Sequence, residues 1–252
     1  MNLRDHNIFI FTHIPKCGGT SFRNLINDSA LKAGLDMEDL YIPGFNGLDN
    51  NKNIDQLSDK EKAVFKGSSY KVVAAHSKYN LHRNYELENQ SPFYYTILRD
   101  PVKRFVSHYH FFYYKLGYDD LRGVEIGDLK EDKLLFLLKR LSNIQTGYLA
   151  NFKFKKVLGE DNLLKLAKYN LQYEYEDFGL VEEMEESISR LKEIMPTWLP
   201  ISGSLPTLNT SNSSKHSLSD KISEMIADFN SSDMDLYSFA QNLKFKNLKV
   251  EV

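Results

Sequence analysis

The chain has 252 residues, 42% hydrophobic and 26% charged, proportions that suit a globular chain with one substantial core. Its 32 basic and 34 acidic residues leave a net charge of −2, which excludes a surface basic enough overall to gather nucleic acid or acidic lipid, so any anion site must be local. A single cysteine excludes an intrachain disulfide and a cysteine-based zinc site, and no apolar run approaches the roughly 20 residues that span a bilayer.

The polar start over 1–6 and the short apolar run after it lack the pattern of a signal peptide. The expectation is therefore a single domain over 1–252, in the cytoplasm and without a stable membrane anchor. Residues 7–13 predict a buried strand, because Ile8, Phe9, Ile10 and Phe11 form a β-favouring apolar run that stops at Pro15 and the Gly18-Gly19 pair. A helix is expected from Thr20, with Phe22, Leu25 and Ile26 at helical spacing and Gly34 as its stop. The stretch 36–66 mixes Gly, Asn, Asp and Lys with few periodic apolar positions and reads as a surface insertion or lid.

Residues 70–75 and 93–98 predict two further strands, ending at His76 and at Arg99-Asp100-Pro101. Pro101 suits the first turn of a helix whose buried stripe is Val102, Phe105, Val106 and Tyr109. Helices are also expected where Leu134, Leu135, Leu138 and Leu141 recur, and again at Leu163, Leu164 and Ala167. A strand over 178–181 leads into a helix with Met184, Ile188, Leu191 and Met195 on its apolar face, ended by Pro196. A Ser-, Thr- and Asn-rich loop over 202–217 precedes two closing helices, over 222–229 and 234–243. Strands alternating with helices predict an α/β fold with a parallel sheet flanked by helices on both faces. Ligands of such sheets collect beyond the strand C-terminal ends, where His13, His76 and Arg99 fall.

The strongest chemical signal is His13-Ile14-Pro15-Lys16-Cys17-Gly18-Gly19-Thr20-Ser21-Phe22, between the first strand and the first helix. Glycines let backbone N–H groups approach a phosphate, the helix N-terminus adds partial positive charge, Lys16 adds a full charge, and Thr20 and Ser21 add hydroxyls. Lys16 precedes both glycines, unlike the Walker A order in which Lys follows the last glycine, so an ordinary ATPase is disfavoured. The anion-binding logic of this loop requires no metal. A second constellation runs from Arg99 through Ser107, where an arginine fork and a hydroxyl brought together would hold a second phosphate. Asp100 reads as a helix cap.

Taken together, Pro15-Lys16-Cys17-Gly18-Gly19-Thr20-Ser21-Phe22 and Leu98-Arg99-Asp100-Pro101-Val102-Lys103-Arg104-Phe105-Val106-Ser107 resemble the carbohydrate-type sulfotransferases, the heparan sulfate 2-O-sulfotransferase and related bacterial group. Weaker similarity continues through Asn143-Ile144-Gln145-Thr146, 178–183 and 230–237. The resemblance implies a P-loop-like sheet and transfer of a sulfuryl group from 3'-phosphoadenosine 5'-phosphosulfate (PAPS) to a hydroxyl acceptor, a sugar or glycan. It assigns the 5'-phosphosulfate to Lys16, Cys17, Gly18, Gly19, Thr20 and Ser21, the 3'-phosphate to Arg99 and Ser107, and a later cofactor loop to Asn209 and Thr210.

Sulfuryl transfer needs a cation where the leaving phosphate gains charge, which is the role expected of Lys16, and a base for the acceptor hydroxyl. His76, in Ala74-Ala75-His76-Ser77, is the candidate base from its strand-end position and from the resemblance, although the second histidine that the animal heparan enzymes carry two residues earlier is absent. His13 is expected to support the loop from beneath, and His108 and His110 to pack or lie at the surface. Tyr109, Phe111, Phe112, Tyr113, Tyr114 and Tyr118 are expected in the core, with Cys17 as a small filler. Two other readings compete. A nucleotide-dependent phosphotransferase would need a carboxylate for Mg²⁺ at a strand end, where only Asp100 stands; a non-catalytic nucleotide- or glycan-binding module would need no base.

Overall fold

An unbroken apolar run whose alternate residues all need cover can only sit in the middle of a two-sided sheet. In the computed structural model, which describes residues 6–44, 54, 57–85, 90–205 and 218–248, β1 (Ile8–Thr12) is that central strand, buried at every position. It leads through the loop 13–18 into α1 (Gly19–Lys32), then to β2 (Leu40–Tyr41), α2 (Asp59–Lys66), β3 (Val72–Ala75) and the single turn α3 (Leu81–Asn84). The chain continues with β4 (Pro92–Leu98), α4 (Pro101–Tyr109), a π-helical turn (His110–Lys115), α5 (Glu131–Leu141), α6 (Ile144–Ala150) and α7 (Lys155–Tyr173). It closes with β5 (Asp177–Leu180), α8 (Met184–Ile194), α9 (Asp220–Phe229) and α10 (Ser231–Leu248).

The sheet order is β2-β3-β1-β4-β5 and every pairing is parallel. Strand order reverses around β1, with β3 on one side and β4 on the other, so the crevice at the C-terminal end of β1 is the topological switch point. Thr12 aligns with Ala75 and with Thr96, and β4 runs on to Leu98 before Arg99. That stagger carries Arg99 past the end of β1 and over the loop that follows it.

The two faces have separate cores. Phe9 and Phe11 pack with Phe22, Leu25 and Ile26 of α1 and Ile188 and Leu191 of α8. Ile8 and Ile10 pack on the other face with Leu149 of α6, Leu163 and Ala167 of α7, and Leu236 and Ala240 of α10. A third cluster, from Phe105, Tyr109, Leu134, Leu138 and Ile226, joins α4, α5 and α9. Among the described residues no helix is long and apolar enough to cross a membrane.

Within 36–66, the stretch expected as a surface insertion or lid, the described residues 36–44, 54 and 57–66 add to the sheet and the core. Leu40 and Tyr41 form the edge strand on β3, and Ile54, Leu57 and Phe65 are buried in the core. Ser58 and Glu61 form a reciprocal capping box at the start of α2. A two-residue strand is too short to show an alternation pattern, and its hydrogen bonds come from β3 rather than from local sequence.

Candidate active site

The loop after β1 takes its shape from two left-handed residues, Lys16 at φ 68° and Gly18 at φ 72°. Glycine adopts this conformation freely, whereas Lys16 pays about 1–2 kcal/mol for it. Gly18 is the N-cap of α1, whose first turn has no side-chain cap bond and no acidic residue, leaving its N–H groups and partial positive charge for an anion. Gly19 is required for a different reason: a Cβ there would stand 2.0 Å from the His13 ring. Thr20 is exposed and Ser21 half-buried on the same first turn.

His13 supports this turn as expected. Its buried ring stacks on Phe11 at 5.7 Å and on His76 at 3.9 Å between centroids. His76 follows β3, and its Nδ1 lies 2.8 Å from the carbonyl of His13. A carbonyl only accepts, so Nδ1 carries the proton and Nε2 carries the lone pair. Burial pushes the His76 pKa down to about 4, against a smaller upward pull from that backbone bond. The imidazole is therefore neutral near pH 7. His13 is held neutral too, by burial first and then by His76, Arg23 and Lys16.

Lys16 lies half-buried with its Nζ 4.1 Å from the centre of the Phe111 ring. Burial, then the Arg99 and Lys115 charges, bring its pKa down to about 8. Phe111 corrects the expectation that the whole 109–118 aromatic run is core. Tyr109 and Tyr113 are buried, but Phe111 is 39% exposed and Tyr118 51% exposed. The wider π-helical turn over His110–Lys115 changes the helical phase and turns Phe111 outward to the loop.

Arg99 closes the site from the β4 side. Its guanidinium donates to the Lys16 carbonyl at 3.0 Å, and its Nε is buried without a partner among the described residues. Asp100 caps α4 as predicted, accepting from the Lys103 N–H at 2.9 Å. Its own N–H donates to Glu182, which also accepts from the Tyr237 hydroxyl at 2.8 Å. Ser107 is half-buried on α4, and no hydrogen bond joins it to Arg99 within the described structure. Cys17 is a buried thiol with its pKa pushed up to about 12 by burial, which fits the expected filler. Asn209 and Thr210 lie outside the described residues.

A buried polar network behind Arg99 escaped the residue-by-residue reading. Gln145 of α6 bonds to the Arg99 backbone, and Asp233 of α10 accepts from the N–H groups of Gln145 and Thr146 at 3.0 and 2.7 Å. Asn143 and Asn230 complete a reciprocal cap: the Asp233 N–H donates to Asn143 Oδ1, and the Asn143 N–H donates to Asn230 Oδ1. Arg104, fully buried, donates to the Leu141 carbonyl and offsets part of the burial penalty on Asp233. Arg104 lies within the 98–107 motif, and the sequence signal for the other residues is the weak resemblance over 143–146 and 230–237.

Comparisons with known proteins agree with this architecture. The chain is 24% identical over 213 residues to heparan sulfate 2-O-sulfotransferase 1 of Gallus gallus, covering 76% of this chain and 56% of that protein. It is 26% identical over 202 residues to the Homo sapiens protein of the same name, covering 75% and 55%. The chain thus spans about half the length of the curated relatives it matches. The family model described as the sulfotransferase family matches residues 1–240, and the chain belongs to that family.

Proposed function

We propose that this protein transfers a sulfuryl group from PAPS to a hydroxyl group of a carbohydrate. Membership of the sulfotransferase family supports the reaction class, and the heparan sulfate relatives support a sugar acceptor. The observation that carries the reading is the juxtaposition at the end of β1. A neutral histidine, its tautomer fixed by the His13 carbonyl, stands behind a cationic, glycine-bearing loop at a helix N-terminus.

The residues fit a doubly phosphorylated nucleotide. The uncapped first turn of α1 and Lys16 offer donors to one anion, and the Nε of Arg99, without a partner among the described residues, offers a donor to another. In this reading Lys16 and the amides of Gly18 to Ser21 hold the 5'-phosphosulfate, and Arg99 with Ser107 holds the 3'-phosphate. PAPS supplies an activated sulfuryl group on a phosphate leaving group. Lys16 presents a cation whose attraction strengthens as negative charge develops, which lowers the barrier rather than only improving binding. His76 Nε2 accepts the proton of the acceptor hydroxyl while Nδ1 keeps its bond to His13.

The test is incubation with PAPS and a panel of glycans and small alcohols, with mass detection of a sulfate gain and of adenosine 3',5'-bisphosphate release. Sulfated glycan supports the proposal. Phosphate transfer from ATP would instead identify a phosphotransferase, and bisphosphate binding without transfer to any acceptor a non-catalytic module.

A further inference from the structure

We propose that Gln145 is the joint that couples the two anion-binding loops, so that the position of Arg99 and the shape of the Lys16 loop are set together. Gln145 is 1% exposed and comes from α6, outside both loops. Its Oε1 accepts from the Arg99 N–H at 2.9 Å, and its Nε2 donates to the Arg99 carbonyl at 2.9 Å. One primary amide thus engages both backbone polar groups of Arg99, fixing the peptide planes on either side of its Cα and the direction in which its side chain leaves.

The same Oε1 accepts from the Cys17 thiol at 3.6 Å, and the Arg99 guanidinium donates to the Lys16 carbonyl at 3.0 Å. Gln145, Arg99, Lys16 and Cys17 therefore close a ring of contacts across both loops. The ring fixes the amide's orientation, because Oε1 meets two donors while Nε2 meets a carbonyl. Exchanging them would set N–H against N–H and oxygen against oxygen. Gln145 is itself anchored by its N–H bond to Asp233. A hydrophobic side chain of the same size would fill the space without the desolvation that an amide suffers, so the amide is matched to these polar partners rather than to packing alone.

Two substitutions test this. Gln145→Met keeps the volume and removes all three side-chain bonds. Gln145→Glu keeps an acceptor for the Arg99 N–H but sets an oxygen against the Arg99 carbonyl, and it serves if the Met variant does not fold. Hydrogen exchange followed by mass spectrometry should show faster exchange, by roughly 10-fold, in peptides covering both 14–18 and 98–100, with the β1 and β3 peptides unchanged. Faster exchange at 98–100 alone, or in neither, overturns the joint.

The ligand consequence rests on the function proposed above. Calorimetry should show a loss of roughly 10- to 100-fold in affinity for adenosine 3',5'-bisphosphate, and losses of similar factor for adenosine 3'-phosphate and adenosine 5'-phosphate. A loss confined to one monophosphate overturns the coupling. If the wild-type protein binds none of the three nucleotides, the nucleotide reading fails while the exchange result still decides the joint.

Discussion

On the β1–β3 flank of the site, His76 is held by rings: His13 stacks on it and Phe11 on His13, Phe22 packs tilted against Phe11 at 4.4 Å, and one bond runs from His76 Nδ1 to a carbonyl. On the β4 flank, Arg99 is held by the side-chain amide of Gln145 on α6, which Asp233 of α10 anchors in turn, and by the Lys16 carbonyl. Stacked rings resist changes of volume, since a close-packed interior has no slack. A buried polar network resists loss of any one partner, since each deletion strands another group in a low dielectric. His76, the proposed proton acceptor, thus sits in the apolar flank, where its pKa is kept low, and the Arg99 guanidinium sits in the polar one.

The largest expected effect separates chemistry from binding on the first flank. His76→Ala should lower turnover by on the order of 10² to 10⁴, with adenosine 3',5'-bisphosphate affinity largely retained in calorimetry. Wild-type turnover in the folded variant would move the base to another group. On the second flank, Asp233→Ala removes the acceptor for two α6 amides and leaves the Arg104 charge buried without its counter-charge. It should cost about 3–5 kcal/mol in urea unfolding. A cost below about 1 kcal/mol would show that the network is not what holds the β4 flank.

Gly19→Ala probes the ring-packed flank by volume alone. The added methyl meets the His13 ring at 2.0 Å and should cost about 1–3 kcal/mol in the same assay. An unchanged midpoint would mean that His13 moves aside freely. The smallest effect is a pH limb. In the proposed mechanism Lys16 acts as a cation, which it is below its pKa of about 8, so kcat/KM for PAPS should fall as pH rises through that value in the free enzyme. The His76 pKa of about 4 leaves that limb undisturbed, because its imidazole stays neutral from about pH 5 upward. A profile flat to pH 10 would remove Lys16 from the charged role.

The two flanks were unequally legible in the sequence. Ile8 to Phe11 and Phe93 to Leu98 announce central strands because both faces are apolar, and the Lys-Cys-Gly-Gly-Thr-Ser order announces an anion loop because its chemistry is contiguous. The strand ends then place His76 and Arg99 without further information. Gln145 acts across 46 residues to Arg99 and 128 to Cys17, distances at which no local pattern survives. Asp233 sits in the first turn of α10, where an acidic residue reads as an ordinary dipole partner, yet its carboxylate caps α6. Leu40 and Tyr41 were hidden by brevity, and Phe111 by a change of helical period that composition does not encode.

The burial of Cys17 has a practical consequence. A thiol whose pKa is pushed up to about 12 and whose sulfur is enclosed presents almost no thiolate to an alkylating reagent at neutral pH. The native sequence is therefore already a low-background host for site-specific spectroscopy. A cysteine introduced at an open position such as Val157, which is 82% exposed, would take up a maleimide fluorophore or a nitroxide while Cys17 stays unlabelled, so its replacement and the disturbance of the site that would follow are both avoided.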